Sequence, residues 1–164
     1  MSPQAASSGR WIIVGLTISV VTGCAGSRYV ESRHPAVGAA YGPYLRGLML
    51  ERSAQLPDAL DAYREALEHD FQSPLLHVRI GATQLKIGRP DQALRSFQRA
   101  LSMDPSNRDS LRWLAMLHTS QGRLPDAVKA YEQLAQQNPT DTFVLSTLAD
   151  LYVMQDDLPH AIEL

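Results

Sequence analysis

The sequence contains a single cysteine, Cys24, so no disulfide can form within the chain. It has no block of like charge either. Fifteen Lys and Arg are mixed with 17 Asp and Glu, for a formal net charge of −2. Nothing in that balance supports a nucleic-acid partner, which needs a basic patch or stripe. The five histidines, at positions 34, 69, 77, 118 and 160, form no i, i+4 pair and no His-Glu-x-x-His motif. His77 and His118 fall on neighbouring helical segments but lack carboxylate or thiol partners, so no metal site is expected. The glycines punctuate helices and make no phosphate-binding loop. Asp156-Asp157 stands where other copies of the pattern below have a turn. We therefore expect no catalytic set, no metal and no cofactor: the chain reads as something other than an enzyme.

What is present begins with an apolar run, Trp11–Val21, preceded by a polar stretch whose one basic side chain is Arg10. The run is well short of the about 20 residues that span a bilayer. Its layout is that of a secretory signal. It ends in Val21-Thr22-Gly23-Cys24, which resembles a bacterial lipobox. That resemblance implies cleavage before Cys24 and acylation of Cys24, giving a membrane attachment that several acyl chains make stable. Ala25, in place of an aspartate, points to the outer membrane. Residues 24–39, rich in Gly, Ser and Pro, read as a flexible tether.

The rest of the chain repeats itself. Gly88-Arg89-Pro90-Asp91-Gln92-Ala93-Leu94 returns as Gly122-Arg123-Leu124-Pro125-Asp126-Ala127-Val128, and earlier as Ala54-Gln55-Leu56-Pro57-Asp58-Ala59-Leu60. A last copy starts at Asp156-Asp157-Leu158-Pro159. Ala59, Ala93, Ala127 and Ala161 stand 34 residues apart without a slip, the mark of a stacked repeat. Each copy reads as two helices. In the second copy Leu76, Ile80 and Ile87 line the first helix, Gly88 stops it, and Pro90 opens the next. Ala93, Leu94, Phe97, Ala100 and Leu101 then form one wide apolar stripe. In the fourth copy Leu145, Leu148, Ala149 and Tyr152 are expected to face inward. The first copy is irregular: Pro43 should precede or open its helix, and Arg46 replaces an apolar residue.

This pattern resembles the tetratricopeptide repeat family, carried by Gly81, Gly88, Ala93, Phe97, Ala100 and Pro105, by Ala115, Gly122, Ala127, Tyr131 and Pro139, and by Ala149, Tyr152 and Ala161. The resemblance implies an all-α fold: a right-handed α-solenoid of stacked antiparallel helix pairs, about three and a half units here. The division expected is a signal peptide at 1–23, a tether at 24–39, and repeats at 40–73, 74–107, 108–141 and 142–164. Stopping at Leu164, inside a helix with no polar cap, the sequence reads as the N-terminal part of a longer protein.

In the family the first helices line a concave groove. Carried over, the groove positions are Leu75, Val78, Arg79, Ala82 and Lys86; then Asp109, Arg112, Met116 and Thr119; then Phe143, Ser146, Thr147, Asp150 and Met154. Arg79, Lys86 and Arg112 would give it a mildly basic middle, suited to an acidic or C-terminal carboxylate ligand. The asparagine pair of chaperone-tail-binding members is absent. The function expected is a lipid-anchored scaffold of a bacterial envelope, at the periplasmic face of the outer membrane, holding a protein or peptide segment. Two alternatives are the front of a larger envelope enzyme and a soluble cytoplasmic repeat protein.

Overall fold

The computed structural model describes residues 35–164. These residues form eight helices and no strand: α1 (Pro35–Arg52), α2 (Leu56–His69), α3 (Pro74–Lys86), α4 (Pro90–Met103), α5 (Arg108–Ser120), α6 (Leu124–Gln137), α7 (Thr142–Met154) and α8 (Leu158–Glu163). No helix among them is long and apolar enough to cross a membrane. The segment expected to be a signal peptide, Cys24 and the expected tether up to residue 34 lie outside the described residues.

One turn geometry joins the two helices of every pair. Residues 54, 88, 122 and 156 all take positive φ: Ala54 at 59°, Gly88 at 75°, Gly122 at 69° and Asp156 at 62°. At each, two backbone bonds close the helix end. Gly88 N–H donates to Leu85 C=O at 3.0 Å and Arg89 N–H to Gln84 C=O at 2.8 Å, and the other three turns repeat this pair of bonds. The last carbonyls of the helix are thereby satisfied while the chain reverses. Pro57, Pro90, Pro125 and Pro159 follow in the first turn of the returning helices, where a missing N–H costs nothing. Between pairs, Asn107 and Asp141 cap the next helix by accepting from the N–H of Ser110 at 3.0 Å and of Val144 at 3.3 Å.

Because the turns repeat, the packing repeats. Within pairs α1 lies on α2, α3 on α4, α5 on α6 and α7 on α8; between pairs α2 meets α3, α4 meets α5 and α6 meets α7. This is a solenoid of stacked helix pairs. Ala59, Ala93 and Ala127 are completely buried, and so are the rings of Tyr63 and Phe97. Burying each such ring contributes on the order of 2 kcal/mol or more. Ala161 only packs at the edge of the last cluster, and Ile162 stays exposed.

Two readings of the first copy need correction. Residues 35–39, assigned above to the tether, are helical, and Pro43 lies inside α1 instead of opening it. An internal proline deprives the carbonyl four residues back of its partner. Here that carbonyl belongs to Ala39, an exposed residue, so water can take the bond. In the fourth copy the most buried side chains are Val144, Leu148 and Leu151, with Tyr152 close behind, while Leu145 and Ala149 are half-buried.

Candidate functional site

The first helices of three pairs meet at one cleft. On α3, Leu75, Val78, Arg79, Ala82 and Lys86 follow helical spacing and share a face. On α5, Asp109, Arg112, Trp113 and Met116 do the same. Together with Glu51 from the end of α1 they line a cavity of about 330 Å³. Val78 and Ala82 are buried and make its floor, while Leu75 and Met116 are about half exposed at its rim. Trp113 stands between the cleft and the core, its ring stacked on Phe97 with centroids 6.0 Å apart.

The charges of the cleft are not all available. Lys86 Nζ donates to Glu51 Oε1 at 2.5 Å, and the Tyr63 hydroxyl donates to Glu51 Oε2 at 2.6 Å. Burial pushes the Glu51 carboxyl up. The bonds from Lys86 and Tyr63, with the positive charges of Lys86 and Arg79, outweigh this and hold it below the ordinary glutamate value. Burial first, then the bond to Glu51, raises the Tyr63 phenol. The mildly basic middle is therefore weaker than residue types alone imply. Lys86 is neutralised, and Arg79 and Arg112 form no ion pair among the described residues.

Residues 78–142 match the family model described as tetratricopeptide repeat. This segment is a run of tetratricopeptide repeats. Solved structures of similar fold include MamA, at 18% identity and TM-score 0.68, covering 76% of this chain and 72% of that one. YrrB, described as a TPR protein with an unusual peptide-binding site, aligns at 21% identity and TM-score 0.63, covering 76% of this chain and 64% of its own. The first TPR of Spaghetti (RPAP3), solved bound to the HSP90 peptide SRMEEVD, aligns at 15% identity and TM-score 0.67, over 73% of this chain and 95% of that one. No curated protein sequence matches the chain.

Within the tetratricopeptide repeats, the structure gathers Val78, Arg79, Ala82, Lys86, Arg112 and Met116 into the one cavity. Thr119, Ser146 and Asp150 do not line it. The Thr119 hydroxyl donates to its own helix at Ala115 C=O, 2.8 Å away, and Ser146 to Phe143 C=O at 3.1 Å, while Asp150 points to solvent. Sequence reasoning missed Glu51 and Trp113. Trp113 was within reach, since it directly follows Arg112, one of the groove positions carried over from the family. Glu51 was not, because its partner Lys86 is 35 residues away in the next repeat.

The two histidines named above sit in different places. His77 shares a surface cavity with Gln84, Gln92, Arg95, Ser96 and Arg99. His118 lies by the α5–α6 turn, near Arg123 and Asp126. Burial lowers the pKa of both, helped by Arg99 and by Arg123. No group of three or more His, Cys, Asp or Glu that could hold a metal occurs among the described residues.

Proposed function

We propose that the protein is a binding scaffold whose α3–α5 cleft holds a segment of a partner protein. The observation that carries this is the cavity itself: an apolar floor, an exposed apolar rim and polar side chains on facing first helices, the layout of a peptide site. Peptide binding by two proteins of similar fold supports the same reading. The tetratricopeptide fold serves protein–protein interaction by presenting such surfaces.

The location we propose rests on sequence. The run Trp11–Val21 followed by Val21-Thr22-Gly23-Cys24 supports lipid attachment at Cys24 in a bacterial envelope, and Ala25 supports the periplasmic face of the outer membrane. The lipid would fix the place and the cleft would hold a component of an envelope machine, such as a pilus, secretion, outer-membrane-protein or exopolysaccharide assembly. Site-specific photocrosslinking tests the cleft. A crosslinker at position 116 should capture a discrete partner, and one at position 98, on the outer side of α4, should not. Equal capture from both positions overturns the cleft as the site. Labelling with a palmitate analogue tests the anchor: incorporation that survives Cys24→Ala rules it out.

A further inference from the structure

We propose that the cleft selects a segment with one isolated carboxylate beside one large apolar side chain, and disfavours an acidic run. The inference rests on the scaffold reading above and names the ligand class for the same cleft.

Three cations line the cavity, and among the described residues two of them have no ion-pair partner. Lys86 is held at 2.5 Å by Glu51, whose side chain is only 12% exposed. A ligand carboxylate at Lys86 would have to displace this partner, which also takes the Tyr63 hydroxyl. Arg79 and Arg112 have no such partner among the described residues, and both reach the cavity. Guanidinium groups bind carboxylates through paired, charge-assisted bonds. One acid is therefore matched by Arg79 and Arg112 together. A second acid meets Asp109, one turn before Arg112 on α5 and on the same cavity wall. Asp109 is in the first turn of its helix, and its carboxylate repels a neighbouring acid across the cleft. Beside the arginines, Val78, Ala82 and Met116 offer an apolar surface that a leucine-sized side chain would cover.

The test uses the full chain and three short fluorescent peptides of equal length, with central Leu-Glu, Leu-Gln or Glu-Glu, followed by anisotropy. Leu-Glu should bind about tenfold more tightly than either of the others, the size of one good charge-assisted interaction. Arg79→Ala with Arg112→Ala should erase that advantage. Lys86→Ala combined with Glu51→Gln should leave it within about twofold, because the two charges already offset each other and are removed together. Asp109→Asn should raise Glu-Glu towards Leu-Glu. Melting curves of each variant confirm folding. Equal binding of Leu-Glu and Leu-Gln overturns the proposal, as does a tenfold loss of that advantage when Lys86→Ala and Glu51→Gln are combined, or no binding of Leu-Glu at millimolar concentration. The scaffold reading stands or falls separately, on the crosslink at position 116.

Discussion

Gly81 of α3 lies against the ring of Phe97 in α4 so closely that a Cβ on Gly81 would come within 2.6 Å of the ring. Gly47 stands in the same relation to Tyr63 one repeat earlier, with 2.5 Å left for a Cβ. In the third repeat the register residues are Ala115 and Tyr131, both buried. That pair shows that this architecture can house a methyl when the ring sits differently. Gly81→Ala should therefore destabilise the fold by about 1–3 kcal/mol, the range for an overpacked core position that can relax in part. Urea unfolding followed by circular dichroism measures it. A neutral or stabilising result would mean that the Phe97 ring moves freely.

The turn at Ala54 holds an alanine where the second and third copies have glycine, and its φ is 59°. Left-handed backbone costs a residue with a Cβ roughly 1–2 kcal/mol, and glycine escapes most of that. Ala54→Gly keeps the two closing bonds, Ala54 N–H to Glu51 C=O and Gln55 N–H to Leu50 C=O. The variant should be more stable by about 1 kcal/mol, offset a little by the greater freedom of glycine when unfolded. A higher melting temperature is expected. Asp156→Gly should gain less, because aspartate tolerates this conformation better than alanine.

Glu51 ties three helices together through Lys86 and Tyr63, and its carboxyl is held below the ordinary glutamate value after burial is overcome by those bonds. A depressed carboxyl contributes stability above its unfolded pKa and loses it as pH falls through its folded pKa. Glu51→Gln should therefore cost about 1 kcal/mol at neutral pH. The difference from wild type should shrink as the pH drops below the ordinary glutamate value. Melts of both proteins at neutral and acid pH check this. A difference that persists unchanged in acid would assign the effect to packing and not to charge.

The helix pairs, their turns and most of the cleft were legible in the sequence because each rests on a repeated local signal. Residues 54, 88, 122 and 156 need a turn, the prolines that follow open a helix, and the alanines at 59, 93 and 127 mark close contact. The first copy was harder. Pro43 carries the usual start signal, yet α1 runs past it, and the carbonyl it orphans belongs to the exposed Ala39, where water can take the bond. The Glu51–Lys86 pair was invisible because it depends on the ends of α1 and α3 coming together, a tertiary fact with no local signature.

In the fourth copy the apolar residues spread around the first helix. Thr142, Ser146 and Asp150 mark one exposed edge of α7, but Phe143, Val153 and Met154 are apolar and exposed as well, so the apolar pattern is too broad to mark which side is buried. The register supplies what the pattern lacks. Thr83, Leu117 and Leu151 stand 34 residues apart and are 0%, 6% and 1% exposed, so this position faces the core in three successive copies. Leu151→Ala should then cost about 2–5 kcal/mol, as truncation of a fully buried leucine does. Leu145→Ala, at a half-buried position on the same helix, should cost clearly less, about 1 kcal/mol. Chemical denaturation of the two single variants decides between them. Equal losses would mean that α7 is rotated from the orientation described.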